Sequence, residues 1–146
     1  MINKELIEKL KGITEEEKKI LETSELDPSN YMSREGYSGG FGEVDSAVVL
    51  KNGRMIDIRP HTRFVHFPPH THNFIEMVYM CKGSTTHIIS GEKVVLSEGE
   101  LLFLSPNSVQ EILPASEDDI AVNFIIMPQF FERIVSLSGI VKGPIG

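Results

Sequence analysis

The sequence predicts a mainly β fold, a small sandwich or closed barrel with helices before it and a short helix after it. Three observations carry that prediction. From residue 44 onward the apolar residues come in short runs of strand length rather than at helical spacing. Turn formers punctuate those runs at regular intervals: Asn52-Gly53, Gly83, Ser90-Gly91, Glu98-Gly99, Pro106-Asn107 and residues 116–119. The chain has 146 residues, 40% of them hydrophobic and 24% charged, which fits one globular domain with a real core. Many short strands at even spacing are the signature of an all-β sandwich or barrel.

The elements follow in order. Residues 1–23 read as helical, with Leu6, Ile7, Leu10 and Ile13 at helical spacing and Ile20 and Leu21 resuming the stripe. Gly12 stops the first helix, and Thr14 with Glu17 three residues on is a capping-box start for a second. The charges around this stripe read as a solvated face. The stripe itself must pack on the barrel or on a second subunit. Residues 24–42 hold Asp27-Pro28-Ser29-Asn30 and the glycines of 36–42, and read as an irregular linker or flap. Strands are expected at 44–50, 55–58, 63–67, 74–81, 85–89, 93–96, 101–104, 109–113 and 120–126. Asn52-Gly53, after the first of these, is a strong hairpin signal. Pro128 can open a closing helix whose stripe is Phe130, Phe131, Ile134 and Leu137. The expected layout is a helical arm and flap at 1–43, a β-barrel at 44–127, and a C-terminal helix or linker start at 128–146.

Charge narrows the partners. With 14 basic residues scattered among 21 acidic ones the formal net charge is −7, so no clustered basic face is available to neutralise phosphates. Direct nucleic-acid binding by this chain is not expected. Cys81 is the one cysteine, which rules out an intrachain disulfide and suits a reducing cytosol. The charged N-terminus has no apolar signal-peptide core, and no apolar run is long enough for a membrane span. A cytoplasmic protein without membrane contact is the expectation.

The stretch that carries chemistry is Pro69-His70-Thr71-His72-Asn73-Phe74-Ile75-Glu76. Side chains on a strand alternate faces, so a regular strand would point His70, His72 and Glu76 the same way. Two imidazoles and a carboxylate on one face make a site for a divalent transition metal such as Zn, Ni, Fe or Mn. They equally make a polar cluster for a hydroxylated or charged ligand. Phe74, Val78 and Met80 share parity with Glu76 and could wall such a pocket or fill a barrel core.

His-x-His, three residues, Glu, six residues, Gly resembles the first motif of the cupin family, and residues 70–83 match it in full. The second cupin motif starts at Gly99 and departs in three places: Ser105 for Pro, Asn107 for Gly, and Gln110 for His. The resemblance implies a small cupin barrel (a double-stranded β-helix or jelly roll), and it places Gln110 where metal-binding cupins carry their last histidine ligand. An amide oxygen is a poorer ligand than imidazole for such a metal. The text from His66-Phe67-Pro68-Pro69 through Glu76-Met77-Val78-Tyr79-Met80 to residues 99–107 looks like the N-terminal ligand-sensing and dimerisation domain of AraC-type transcription regulators. That resemblance covers about half of the chain, residues 60–131.

It implies a sensor that binds a sugar-like or other polar metabolite through His70, His72, Glu76, Gln110, Phe74 and Val78, with no cofactor required. It also implies a homodimer whose DNA contacts come from a C-terminal helix-turn-helix half, for which residues 127–146 leave no room. The alternative is a small metal-dependent cupin enzyme, an oxygenase or isomerase, holding its metal with His70, His72, Glu76 and Gln110. A structural cupin with a dry core is a third reading. Of the remaining histidines, His66 shares the parity of His70 and is a candidate pocket residue, although Pro68-Pro69 can reset the register. His87 sits on a strand of unassigned orientation, and His61 follows Pro60 in a turn that should place it at the surface. Cys81 lacks a partner that would make it a nucleophile.

Overall fold

The structure, a computed structural model, describes residues 4–32, 42–50 and 53–138. The glycine-rich stretch 36–41 and Asn52 of the expected hairpin lie outside the described residues.

Two helices open the chain, α1 (Lys4–Lys11) and α2 (Glu15–Thr23). The capping box forms as the sequence predicts: the Glu17 backbone donates to Thr14 Oγ1 at 3.1 Å, and the Thr14 backbone donates to Glu17 Oε1 at 3.0 Å. Yet Glu17 does not belong to a solvated face, for it is 1% exposed. Arg63, equally buried, explains this. Its Nε donates to Glu17 Oε2 at 2.9 Å and its Nη2 to Oε1 at 3.0 Å. The remaining guanidinium donors reach the carbonyls of Lys11, Gly12 and Glu117. One planar fork thus satisfies a carboxylate and two carbonyls at the end of α1 that would otherwise lack partners. This is what fastens the helices to the barrel. The apolar stripe contributes less, since Ile20 is buried while Leu6, Ile13 and Leu21 stay 42–54% exposed.

The strands are β1 (Glu43–Val44), β2 (Ile56–Pro60), β3 (Phe67–His72), β4 (Ile75–Lys82), β5 (Ser84–Ile89), β6 (Glu92–Ser97), β7 (Leu101–Leu104), β8 (Gln110–Ile112) and β9 (Ile120–Ile126). They form a five-stranded sheet in the order β1-β3-β8-β5-β6 and a four-stranded sheet in the order β2-β9-β4-β7. Consecutive strands change sheet repeatedly, the mark of a jelly-roll barrel.

Two expected strands are corrected. Of the first, only Val44 lies in a strand, paired together with Glu43, and Ser46–Val49 coil into a helical turn, α3. Asp45 causes it by accepting from the Ala47 backbone at 2.9 Å as an N-cap. β1 pairs with β3 and β2 with β9, so no hairpin joins them. The strand expected at 63–67 begins instead at Phe67 and runs through Pro68-Pro69. Between its partners Ile112 and Gln110 the chain inserts one extra residue. The prolines sit in that bulge, where the ladder needs no donor from them.

Two left-handed residues sharpen the turns. Gly83 has φ +75°, and a Cβ there would lie 2.4 Å from Asp119 Oδ1, so glycine is required twice over. Asn107 has φ +70°, and its backbone donates to the His72 carbonyl at 2.9 Å. Asn tolerates this conformation, which is why the turn survives without the glycine of the motif.

The core falls into two clusters. One gathers Tyr31, Val44, Val49, Phe67, Phe74 and Ile125, and the other Val78, Met80, Leu96 and Ala121. The outer face of the four-stranded sheet carries Ile58 and Phe103 in the open, with the closing helix α4 (Pro128–Ser138) bringing Phe131 to 6.1 Å from Phe103. Among the described residues no helix is long and apolar enough to cross a membrane.

Candidate functional site

A cavity of about 340 Å³ lies between the two sheets, and the first turn of α2 forms part of its wall. β3 contributes Phe67, His70 and His72 from one sheet, while β4 and β9 contribute Glu76 and Asn123 from the other. The motif residues therefore do not share one strand face. The chain leaves β3 after His72, turns at Asn73-Phe74 and enters the opposite sheet before Glu76. The three side chains still meet at one cavity, but across the barrel.

The backbone sets the protonation of both motif histidines. His72 Nδ1 lies 2.6 Å from the Phe74 carbonyl, and His70 Nδ1 lies 2.8 Å from that of Pro68. A carbonyl can only accept, so each Nδ1 carries a proton, and in a neutral ring Nε2 is then the acceptor. His72 Nε2 is fully buried without a partner. Burial pushes His70 down to about 4, against a smaller upward pull from the Pro68 carbonyl, so its ring is neutral at ordinary pH. Phe67 lies 4.2 Å from the His70 ring and Phe74 stacks at 4.8 Å on His72, holding both imidazoles in place.

Behind Glu76 runs a buried chain of hydrogen bonds. Thr85 Oγ1 lies 2.8 Å from His87 Nε2, His87 Nδ1 lies 3.0 Å from Gln110 Oε1, and Gln110 Nε2 donates to Glu76 Oε1 at 3.2 Å. The amide oxygen needs a donor, which puts the His87 proton on Nδ1 and makes Thr85 the donor to Nε2. Burial pushes the Glu76 carboxyl up, with His72 and the Gln110 amide opposing. Burial likewise pushes His87 down.

The structure places the expected site residues in different surroundings. His70, His72, Glu76 and Phe74 line the cavity. Gln110 is fully buried but turns its amide to Glu76 and His87, so it orients Glu76 and does not line the cavity. Val78 belongs to the second core cluster, because its side chain falls one further inward step along β4. His66 is out of the pocket: the bulge at Pro68-Pro69 resets its parity, and its Nε2 meets Glu111 at 2.6 Å on the surface. His61 is the opposite case. It was expected at the surface, yet it is 4% exposed and lines the cavity. Asn123, also in the lining, carried no motif signal; its inward parity on β9, between Ala121 and Ile125, was the available clue. As for a metal, no group of three or more His, Cys, Asp or Glu among the described residues is arranged to hold one. His70, His72 and Glu76 line the cavity without forming such a group, and the Gln110 amide is engaged by His87 and Glu76.

A family model described as the AraC-like ligand binding domain matches residues 55–146. No curated protein matches the sequence. Similar solved structures include the EutQ protein of Clostridium difficile, at 26% identity over 50% of this chain and 55% of that one, with a TM-score of 0.41. A cupin protein from Bacteroides fragilis shares 22% identity over 62% of this chain and 70% of that one, with a TM-score of 0.40. A HTH_3 family transcriptional regulator from Vibrio cholerae shares 15% identity over 51% of this chain and 44% of that one, with a TM-score of 0.39. The chain spans little more than half the length of the EutQ protein.

Proposed function

The chain belongs to the AraC-like ligand binding domain family, with a two-sheeted barrel of the cupin type, and from that premise we propose that it senses a small polar metabolite for a transcription regulator. The observation that carries this reading is the cavity of about 340 Å³, lined among others by His72, whose buried Nε2 has no partner. A buried acceptor without a partner is costly unless something that donates occupies the space. A sugar-like molecule fits both the volume and the donors required. His70 and His72 would accept from its hydroxyls, Glu76 would bond a further group, and Phe67 and Phe74 would cover its apolar faces.

Coupling to the regulator runs through α2. Thr14, Glu15 and Glu16 belong to the cavity wall, so an occupant that touches them biases the arrangement of the N-terminal helices. A ligand can shift such an equilibrium only by its difference in affinity for the two arrangements. Pairing as a homodimer in the cytoplasm, with DNA contacts made by another domain, completes the proposal.

The test is a melting-temperature screen of the full chain with monosaccharides, polyols and divalent metals, followed by elemental analysis. An occupant at about 100 times its Kd adds about 2.7 kcal/mol. For a domain of this size that raises Tm by about 5–10 °C. Stabilisation by a sugar that disappears in His72→Phe supports sensing. One metal per chain, with no response to sugars, would favour the metal-dependent enzyme instead.

A further inference from the structure

We propose that two copies of this chain meet through the outer face of the four-stranded sheet, sheet against sheet. The inference deepens the homodimer of the proposed function and rests on it. The strand register sets side chains in line across that sheet. Ile58, Phe124, Met77 and Phe103 form one row. Pro60, Val122, Tyr79 and Leu101 form the next. Glu76 and Asn123 line the cavity, so their strand neighbours Met77, Val122 and Phe124 take the opposite face. Neither row holds a charged residue, and the Tyr79 hydroxyl is the one polar side-chain group in them.

An antiparallel sheet with one face in water alternates apolar inward with polar outward. The five-stranded sheet does so. Behind its buried His87 and Gln110 runs the row Lys93, Ile88 and Glu111, and His66 meets Glu111 there on the surface. The four-stranded sheet is apolar on both faces. Its closing helix α4 brings Phe131 to 6.1 Å from Phe103, yet Ile56, Ile58, Leu101 and Phe103 remain 38–58% exposed.

Area and charge select the occupant. The four exposed residues present on the order of 350 Å² of apolar surface, already within the range of the largest patch on a monomer, about 300–600 Å². Half-buried Met77, Tyr79, Val122 and Phe124 lie between them and bring the face toward about 800 Å², one partner's share of a stable interface. The chain carries a net charge of −7, so two copies repel wherever acidic surfaces meet. An uncharged face lets them approach without that repulsion. A two-fold contact also needs a patch that complements itself. A charge-free sheet face meets this condition and stacks on its copy at about 10 Å, as the sheets of a sandwich do. A strongly charged partner would find no counter-charge here.

Sedimentation equilibrium of the full chain, from about 1 to 100 µM, reads the assembly. The wild type should approach twice the 16.3 kDa of one chain. Ile58→Lys and Leu101→Lys should each raise the dimer Kd by about 100-fold or more. Both positions are more than half exposed in the single chain, so the monomer keeps its fold. Val95→Lys, half exposed on the other sheet, should leave Kd unchanged. Hydroxyl-radical footprinting of the wild type needs no variant: oxidation of Met77, Tyr79 and Phe103 should fall as the dimer forms, and that of His66 should not. A dimer that survives both lysines, or is lost only in Ile134→Lys on α4, overturns the inference and leaves the homodimer standing. So does a footprint at His66 in place of Met77 and Phe103. A wild type that stays monomeric at the highest concentration overturns the homodimer and the inference together.

Discussion

Replacing Glu17 with Gln changes one charge and almost no volume, and so isolates the link between the N-terminal helices and the barrel. The Glu17 carboxylate accepts from Arg63 Nε, Arg63 Nη2, the Arg63 backbone and the Thr14 backbone. With both side chains no more than 3% exposed, water cannot replace what is lost. The amide keeps one acceptor and turns a donor toward donors on the other side. Removing one partner of a buried pair costs about 3–5 kcal/mol, because the other charge is left uncompensated. In a domain of this size that lowers Tm by about 10 °C. Urea denaturation followed by circular dichroism, run on Glu17→Gln, Arg63→Met and the double variant, measures the term. The double variant should lose at least about 2 kcal/mol less than the sum of the singles. A loss below about 1 kcal/mol in Glu17→Gln, the value of an exposed pair, would refute the claim that this pair fastens the helices.

Other substitutions probe the turn, the relay and the histidines. Gly83→Ala imposes a left-handed backbone on a residue with a Cβ and drives it into Asp119, whose carboxylate accepts from Ser84 and Ser116; a loss of about 2–3 kcal/mol in urea is expected, and a neutral result would mean the turn relaxes freely. Gln110→Leu leaves the His87 proton and Glu76 without their partner, so it should cost about 2–4 kcal/mol, with crystal or NMR data showing Glu76 displaced; retention of full stability would show the relay to be idle. His61 and His70, both pushed down to about 4 by burial, contribute stability that is present in full above the unfolded value of about 6.5 and lost as pH falls through about 4. Each should withdraw about 2 kcal/mol between pH 7 and pH 5. Glu76 works the other way, since a raised carboxyl costs stability as pH rises through it. The comparison that isolates His61 is therefore the wild type against His61→Phe, whose pH 7 to pH 5 loss should be smaller by about 2 kcal/mol; equal losses would show that His61 is not neutral and buried.

The chain's strand rhythm, its capping box and the spacing of His70, His72, Glu76 and Gly83 are local patterns, and residues a few positions apart suffice to read them. Seven of the nine expected strands therefore have clear counterparts, β2 and β4 to β9. The capping box at Thr14 and Glu17 forms as read, and the family that the motif text resembles is the one whose model matches residues 55–146. The failures have local causes too. Asp45 capped a helical turn where β-branched residues promised a strand, and Pro68-Pro69 sat in a bulge where two prolines read as a break.

His70, His72 and Glu76 were legible in the sequence by their spacing, but the reason they converge was not. Parity along one strand promised a single face; the turn at Asn73-Phe74 instead sends Glu76 to the other sheet, and the barrel closes the three around a cavity. Only tertiary structure could make that decision, because it depends on which strands pair across the barrel. The same holds for Gln110, whose partner His87 is 23 residues away, and for Glu17 and Arg63, which are 46 apart. It holds most of all for His61 and Asn123, which no motif marks and which burial alone turns into cavity wall. The sequence by itself determined the fold class, the family and the chemical types at the site. Contacts between residues distant in the chain decided which of them face the cavity, and which protonation each holds.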